Sequence, residues 1–321
     1  MRKISYLIIF FLLINNCSFD NKSGIWTGNN QVKKNKKNNS QNTEFIFKKQ
    51  NKLIEEIELI PGQSIKIDNL KTYTEWSQRY QNKFNNINNV SFLNDGNYQK
   101  LSKISKSGVN KNILVYKNNL FFSDYKGNIG VYSLDKNQII FKYNFYKKKF
   151  KKFKKEIKLL VKKDIIIAVD NFGYAYSINY KKNKIVWAKN FLVPFRSNLK
   201  IINETLFLSD ENNKIILINI HNGDKIDEFY TQPSKVVSKF ESNLAIDNNN
   251  NLLFMSTSGV LYSLNLINNK RINWIKNFKQ ESKIIYEGNP IIIQNDNIII
   301  SDENSISLLN VNGNKIWDLN I

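Results

Sequence analysis

The stretch Asp170–Trp187 reads Asp-Asn-Phe-Gly, then Tyr-Ala-Tyr-Ser-Ile-Asn, then a polar turn, then Lys-Ile-Val-Trp. Its Asn and Gly residues tolerate the positive φ angles that tight turns need. Between them lie short runs of alternating or β-branched residues, which favour extended strands. The stretch therefore predicts a strand, a tight turn, a second strand, another turn and a third strand.

The same phrase recurs along the chain, with related copies that begin at Asp124, Asp210, Ser258 and Asp302. One position can be followed through all five copies, namely the apolar residue that precedes Asp or Asn. Its successive occurrences are separated by 44, 40, 46 and 45 residues, and they are Leu134, Ile178, Ile218, Leu264 and Leu309. A period of about 40–45 residues with several strands per repeat is typical of β-propeller blades. Unrelated hairpins in another all-β domain do not account for this spacing, so we predict an all-β propeller of four-stranded blades with five repeats visible.

The end of the repeat carries an aromatic residue in several copies, as at Trp187, Trp274 and Trp317. A ring at the end of a blade buries a large area when it lies against the neighbouring blade. We therefore expect these tryptophans to belong to the core. Continuous apolar runs such as Ile165–Ile167 and Ile298–Ile300 are typical of strands that are buried on both faces.

The overall composition permits one large domain, since the chain has 321 residues of which 41% are hydrophobic. Its net charge of +21 raises the possibility of nucleic acid or an anionic membrane as partner. Lys, Asn and Ile dominate everywhere, however, including turns where Asp and Gly would serve. This indicates a compositional bias rather than a shaped basic face, and we predict no nucleic-acid partner.

One insertion, Tyr146–Lys158, concentrates seven lysines before its last residue around Phe150 and Phe153. It is either a basic patch for an acidic partner or phospholipid headgroups, or a solvated strand or loop. Charge runs are usually solvated faces, and the lysine bias of the chain favours the second reading.

Few residues are suited to catalysis or metal binding. A single cysteine, Cys17, excludes internal disulfides and cysteine-based metal sites. The single histidine, His221, falls in a predicted turn, which argues against a nucleophile triad. Asp247, followed by the run 248–251 of asparagines, resembles a calcium loop only weakly and is better explained as a hairpin turn. We predict no catalytic residue, no metal and no cofactor.

The N-terminus has the pattern of an export signal. A positive start at Met1–Lys3 precedes the largely apolar run 4–14, which is too short to span a bilayer as a helix. Cys17 follows at the position where a bacterial lipoprotein is acylated, although Asn16 stands where a small residue is usual. Residues 1–17 are thus predicted as a lipoprotein signal peptide with Cys17 as the lipidation site. The alternatives are an uncleaved anchor and an ordinary secretory signal.

The rest of the chain divides at about residue 52. Residues 18–52 are rich in Asn, Lys, Gln and Ser and predict a disordered tether. Residues 53–321 are assigned to the propeller. Within them, 53–93 begins with two predicted strands around a Pro61-Gly62 turn, and we expect this region to complete the last blade.

The repeat resembles a known family. The phrase from Tyr176 to Trp187 resembles the repeat of pyrroloquinoline-quinone-type propellers, and with the lipoprotein-like signal the chain is similar to the BamB lipoproteins. The run Trp76-Ser77-Gln78 with Asn85 also resembles the opening segment of that family. The resemblance implies eight blades and a non-catalytic scaffold lipid-anchored at the periplasmic face of the bacterial outer membrane. It implies binding to the periplasmic domains of a BamA-like assembly protein, to other assembly lipoproteins and to nascent β-barrel proteins.

The resemblance also implies partner-binding residues. Val193, Phe195 and Arg196 match an apolar-x-apolar-Arg segment, and Glu241 keeps one acid of an Asp-x-Asp pair whose other position holds Lys239. An apolar anchor beside an Arg fork is typical of an interface hot spot. In the alternative interpretation, Arg196 is an ordinary loop residue that pairs with Glu241.

Two questions stay open at this stage. Five repeats are visible, whereas the resemblance implies eight blades. The alternatives are a truncated or split gene product, a ring that closes with fewer blades, and a gap that another chain fills. The rival functions are a quinone-dependent dehydrogenase, which needs a quinone, Ca²⁺ and an Asp base, and a propeller that binds a small ligand in its channel.

Overall fold

The computed structural model describes residues 70–87, 89–91, 100–146, 150–232, 241–266, 271–278, 286, 288–302 and 304–320. The predicted signal peptide, the lipidation site Cys17, the predicted tether 18–52 and the predicted strands around Pro61 lie outside the described residues. None of the described residues belongs to a helix that is long and apolar enough to cross a lipid bilayer.

Five four-stranded antiparallel sheets make up the described fold, each built from four strands that are consecutive in the chain. We number them as blades 1–5. Blade 1 contains β1 (Leu114–Tyr116), β2 (Asn119–Ser123), β3 (Asn128–Ser133) and β4 (Gln138–Asn144); blade 2 contains β5 (Ile157–Lys162), β6 (Ile165–Asp170), β7 (Tyr174–Asn179) and β8 (Lys184–Asn190); blade 3 contains β9 (Lys200–Ile202), β10 (Thr205–Ser209), β11 (Ile215–Asn219) and β12 (Lys225–Phe229); blade 4 contains β13 (Asn243–Ile246), β14 (Leu252–Met255), β15 (Val260–Asn265) and β16 (Arg271–Asn277); blade 5 contains β17 (Ile292–Gln294), β18 (Asn297–Ser301), β19 (Ser305–Asn310) and β20 (Lys315–Asn320).

The turn after the second strand is shaped, in four of the five blades, by the Asp that opens the repeat. In blade 2 the Asp170 carboxylate accepts hydrogen bonds from the backbone N–H groups of Phe172 and Tyr174, at 2.9 and 2.8 Å. Gly173 between them has a φ of +85°, which an L side chain rarely adopts. The Asp-x-x-Gly phrase therefore folds locally into the turn that the sequence predicts.

Four hydrophobic cores lie between consecutive blades. The first joins blades 1 and 2, the second joins blades 2 and 3, and the third and fourth continue to blades 4 and 5. The residue at the centre of the second strand faces the next blade and is at most 1% exposed, and these residues are Phe121, Ile167, Phe207 and Leu253. Sheets that stack through such faces, one after another along the chain, form a β-propeller.

The outermost strand contributes a ring to the same junctions. Trp187 of β8 belongs to the core between blades 2 and 3, and its indole Nε1–H donates to the carbonyl of Ile220 at 2.8 Å. Trp274 of β16 donates in the same way to the carbonyl of Val311 in blade 5 at 2.8 Å. The prediction that these two tryptophans pack between blades is confirmed.

Blade 5 ends the described series with one face uncovered. The row Ile299, Leu308 and Trp317 crosses three adjacent strands on the face where a next blade would lie. Trp317 is 45% exposed and Leu319 is 49% exposed, whereas the corresponding Trp187 is 7% exposed. Trp317 was predicted to belong to the core, and this prediction is wrong. No sheet among the described residues packs against it.

Candidate functional site

The first strands of the five blades all contact a segment of the same chain, residues 76–86, which we call the axial segment. Trp76 pairs with Val115 in blade 1 through two backbone hydrogen bonds, of 2.6 and 3.0 Å. In blade 2 the Val161 N–H donates to the carbonyl of Ser77 at 2.8 Å. The axial segment therefore begins as an additional strand-like partner of blades 1 and 2.

The remaining three blades bind its second half. In blade 3 the Lys200 ammonium donates to the carbonyl of Asn82 at 2.7 Å. In blades 4 and 5, Ile246 and Ile293 donate their backbone N–H groups to the carbonyls of residues 83 and 84, at 2.9 and 3.0 Å. The axial segment thus contacts every described blade.

Asn85 fixes the far end of the axial segment. Its side-chain amide donates to the carbonyls of Leu244 and Ile291, at 2.9 Å each, and so links blades 4 and 5. Its φ of +56° is a conformation in which Asn is favoured over most residues. Trp76-Ser77-Gln78 and Asn85, the residues that resemble the opening segment of the family named above, thus all belong to the axial segment.

This arrangement corrects one prediction. Region 53–93 was expected to complete the last blade, but all four strands of blade 5 come from residues 292–320. The described residues of that region instead lie along the axis, and Lys71 pairs in parallel with Val90. Short backbone contacts to five different strands leave no periodic pattern, which is why the sequence does not reveal them.

The end of the propeller near Arg79 carries the connections between blades, and we call it the loop face. Antiparallel four-stranded blades bring every connection to this end, together with the turns at Asp124, Asp170 and Asp210. The Arg79 guanidinium there contacts the Glu241 carboxylate. Lys158 lies on the other side of Glu241, with an Nζ–O distance of 3.3 Å.

The charges in this cluster perturb one another. Burial alone would raise the pKa of the Glu241 carboxyl, but Lys158 and Arg79 outweigh it and hold the pKa below its usual value. Burial lowers the pKa of the Lys158 ammonium to about 8, despite the attraction of Glu241. The cluster is therefore a partly buried ion network in which one carboxylate faces two cations.

The predicted partner-binding residues come together around Lys158. Its ammonium donates to the backbone carbonyls of Arg196 and Ser197, and it also faces Glu241. The loop 191–199 and residue 241 therefore lie side by side on the loop face, although 45 residues separate Arg196 from Glu241 in the chain. Lys239 lies outside the described residues.

Two details of the predicted site are different from expectation. Arg196 does not pair with Glu241; its guanidinium contacts Glu211, at an N–O distance of 3.4 Å. Phe195 was assigned to partner binding, but it is 2% exposed and belongs to the core between blades 2 and 3. It cannot touch a partner unless that core opens.

The exposed apolar residue of this loop is its neighbour Leu192, which is 81% exposed. Its backbone N–H donates to the Asn190 side chain at 2.9 Å, and its φ is +67°. A Cβ on Gly173 would lie 2.7 Å from the carbonyl oxygen of Val193, so only glycine allows this close approach. The loop is therefore held so that Leu192 projects outward, whereas Phe195, the partner-binding residue implied by the resemblance, is buried.

The other candidate sites are turns. His221 lies in the turn after β11 with its side chain 69% exposed and paired with Glu204. The Asp247 carboxylate accepts hydrogen bonds from the backbone and the side chain of Asn251, at 2.8 Å each, so this run forms a hairpin turn as predicted. Within the described parts of the chain, no group of three or more His, Cys, Asp or Glu residues is placed to hold a metal ion.

The fold and this loop face define the class of protein as a β-propeller. No family model matches the chain, and no curated protein matches it. Solved propellers are similar in structure, and the chain spans about three fifths of their lengths. They include BamB from Moraxella catarrhalis (12% identity, 65% of this chain and 60% of that chain, TM-score 0.49), the computationally designed Ika8 protein (11%, 67% and 62%, 0.53) and a europium-containing methanol dehydrogenase (11%, 77% and 58%, 0.60).

Proposed function

We propose that the protein is a non-catalytic scaffold that binds a protein partner through its loop face. The observation that carries the proposal is that residues 76–86 of the chain are hydrogen-bonded to all five described blades along the axis. A small molecule on the axis would have to displace hydrogen bonds to all five blades. Recognition by an outer surface requires no such displacement, so the axial segment favours a scaffold over the ligand-binding and quinone-dependent alternatives.

The partner that we propose is the periplasmic part of a BamA-like assembly protein, in agreement with the resemblance to the BamB lipoproteins. The contact surface would consist of Leu192, Val193 and Arg196 with Glu241 beside them. An exposed leucine next to an Arg and a carboxylate has the composition of an interface hot spot with a polar rim. We further propose anchoring through Cys17 at the outer membrane and a role in the assembly of β-barrel proteins there.

Purified periplasmic domains of BamA from the same bacterium provide the test. Leu192→Asp places a charge at the exposed tip of the loop, and we expect it to weaken binding at least about tenfold. Arg196→Glu is a second variant, but its new carboxylate would face Glu211, so its circular-dichroism spectrum and unfolding midpoint must be checked. Lys182→Glu, an exposed charge reversal in the turn at the other end of the propeller, is the matched control.

Each outcome of the binding measurement supports or removes one part of the proposal. Weaker binding by Leu192→Asp with normal binding by Lys182→Glu supports the proposed surface. Unchanged binding by a correctly folded Leu192→Asp removes the site assignment. Absence of binding by the wild-type chain removes the proposed partner, and quinone-dependent dye reduction by the purified protein would favour the enzyme alternative.

A further inference from the structure

The connection between blades 1 and 2 displays an aromatic ring among exposed lysines. We call residues 150–155 the basic aromatic turn. Lys151, Lys152 and Lys154 are exposed, and Phe153 between them is 59% exposed. From this turn we infer a binding surface for anionic lipid headgroups, a function that does not depend on the proposed protein partner.

The backbone of the turn is held in place by specific side-chain contacts. The Lys155 side chain is buried, and its ammonium donates to the carbonyl of Phe150 at 2.5 Å while lying 5.3 Å from the Tyr146 ring centroid. The Phe150 ring packs against Phe172 of blade 2, with 5.6 Å between the centroids. One buried lysine and two rings therefore fix the backbone that presents the exposed residues.

The exposed ring is the feature that a solvated loop does not explain. Phe153 contacts Phe172 with one edge, at 6.2 Å between centroids, and leaves the rest of its ring in water. Exposing a large ring forgoes part of the roughly 1.5–3 kcal/mol that burial of such a side chain gains. A ring that projects from a basic surface is suited to the boundary between lipid headgroups and acyl chains, where aromatic residues are enriched.

The charges of the turn fit a negatively charged plane. Lys154 has one partner, Glu156, at an N–O distance of 3.8 Å, and also lies over the Tyr125 ring. Among the described residues, Lys151 and Lys152 have no carboxylate within ion-pair distance. Long lysine side chains adapt to fluid headgroups, and each adds about 1 kcal/mol of attraction near an anionic bilayer. The exposed ring of Phe153 adds to these charges the aromatic element that is enriched at bilayer interfaces, so the turn favours the lipid surface.

The inference can be tested in the full chain by the fluorescence of a tryptophan placed in the turn. This signal reports on the turn itself, even if the N-terminus also binds the membrane. Phe153→Trp introduces a fluorophore at the tip, and phosphatidylglycerol vesicles with brominated acyl chains serve as the probe. We expect the added emission to be quenched by these vesicles and much less by brominated phosphatidylcholine. The control Ile226→Trp places a tryptophan at a site that is 50% exposed on β12, and we expect no quenching there.

Charge removal provides the second arm of the test. Replacing Lys151, Lys152 and Lys154 by Gln in the Phe153→Trp chain should weaken vesicle binding about 100-fold, and added salt should have a similar effect. The matched control removes the same charge from Lys181, Lys182 and Lys184, which are exposed in the turn of blade 2 at the other end of the propeller.

Three results would overturn the inference. The first is no quenching at position 153, and the second is equal quenching at position 226. The third is an equal loss from the two triple replacements, which would mean attraction by net charge alone. If soluble polyglutamate shifts the emission at position 153 while vesicles do not quench it, the turn binds acidic polypeptides instead, and the lipid assignment is wrong.

Discussion

The indole ring of Trp187 lies against Gly223 in the next blade. A Cβ on Gly223 would come within 2.5 Å of the Trp187 ring, and the same relationship joins Trp274 to Gly313, at 2.6 Å. Each tryptophan also donates its Nε1–H to a carbonyl of the turn that contains its glycine. The tryptophan of one blade and the turn glycine of the next blade therefore form a single packing contact, which we call the junction between the blades.

Because Trp317 has no such junction among the described residues, the same substitution should have different consequences in different blades. Trp187→Ala removes a ring that is 7% exposed, and we expect it to lower the free energy of unfolding by about 3–5 kcal/mol. Trp317→Ala removes a ring that is 45% exposed, and we expect a loss below about 1 kcal/mol. Urea unfolding of both variants measures the difference, and equal losses would contradict the open face of blade 5.

The close approach at the junction can be tested from the glycine side. Gly223→Ala should destabilise the protein by about 2 kcal/mol or more, because its φ is +75° and its Cβ would meet the Trp187 ring. When Trp187 is already alanine the clash is gone, and only the backbone strain of about 1 kcal/mol should remain. A double-mutant cycle measures this coupling. Additive losses from the two substitutions would mean that ring and glycine do not share the junction.

The strands and turns were predictable because their signals are local. Alternating residues form strands, and Asp, Asn and Gly at fixed offsets form turns such as the one at Asp170. The ring at Trp187 was predictable from its position at the end of a repeat. Trp317 has the same local pattern, but its exposure depends on whether another sheet follows, which no local signal contains.

The axial segment and the loop face were harder to predict. Tyr80 and Gln81 have φ angles of +63° and +68° although neither residue type signals a turn. Within the loop 191–199, Leu192 and Phe195 are both apolar, and only the packing of blade 3 decides that Phe195 is buried and Leu192 exposed. The sequence therefore did not distinguish which apolar side chain of this loop is exposed.

The axial segment should contribute to stability through Asn85. Asn85→Ala removes the donor to the buried carbonyls of Leu244 and Ile291. The Leu244 carbonyl keeps the Asn198 side-chain amide as a donor at 2.8 Å, so the main loss falls on Ile291 and we expect about 1–3 kcal/mol. Asn118 in the first turn of blade 1, an exposed residue with a φ of +53°, controls for the cost of replacing a positive-φ asparagine. If Asn118→Ala costs as much as Asn85→Ala in urea unfolding, the axial hydrogen bonds add nothing beyond backbone strain.

Lys200 should make the stability of the protein depend on pH. Burial, with a smaller contribution from the nearby Arg79, lowers the pKa of this ammonium to about 7 in the folded chain. In the unfolded chain the pKa is about 10.4. Between these two values the unfolded chain binds more protons at this residue, so the free energy of unfolding should rise with pH across that window. Below about pH 7 both states are protonated, and the cost of burying the charge is present in full.

Lys200→Met removes this titration. The variant also loses the hydrogen bond to the Asn82 carbonyl, but that loss should be similar at every pH. Urea midpoints at pH 6.5 and 9.5 should therefore differ less for Lys200→Met than for the wild-type chain. Lys162→Met, at a partly exposed lysine that also donates to a backbone carbonyl, should keep the wild-type difference. Lys158, whose pKa is about 8, contributes a smaller rise in the same direction and stays in both variants. Parallel pH dependence of the wild-type and Lys200→Met chains would mean that Lys200 is solvated and that the axis is open to water.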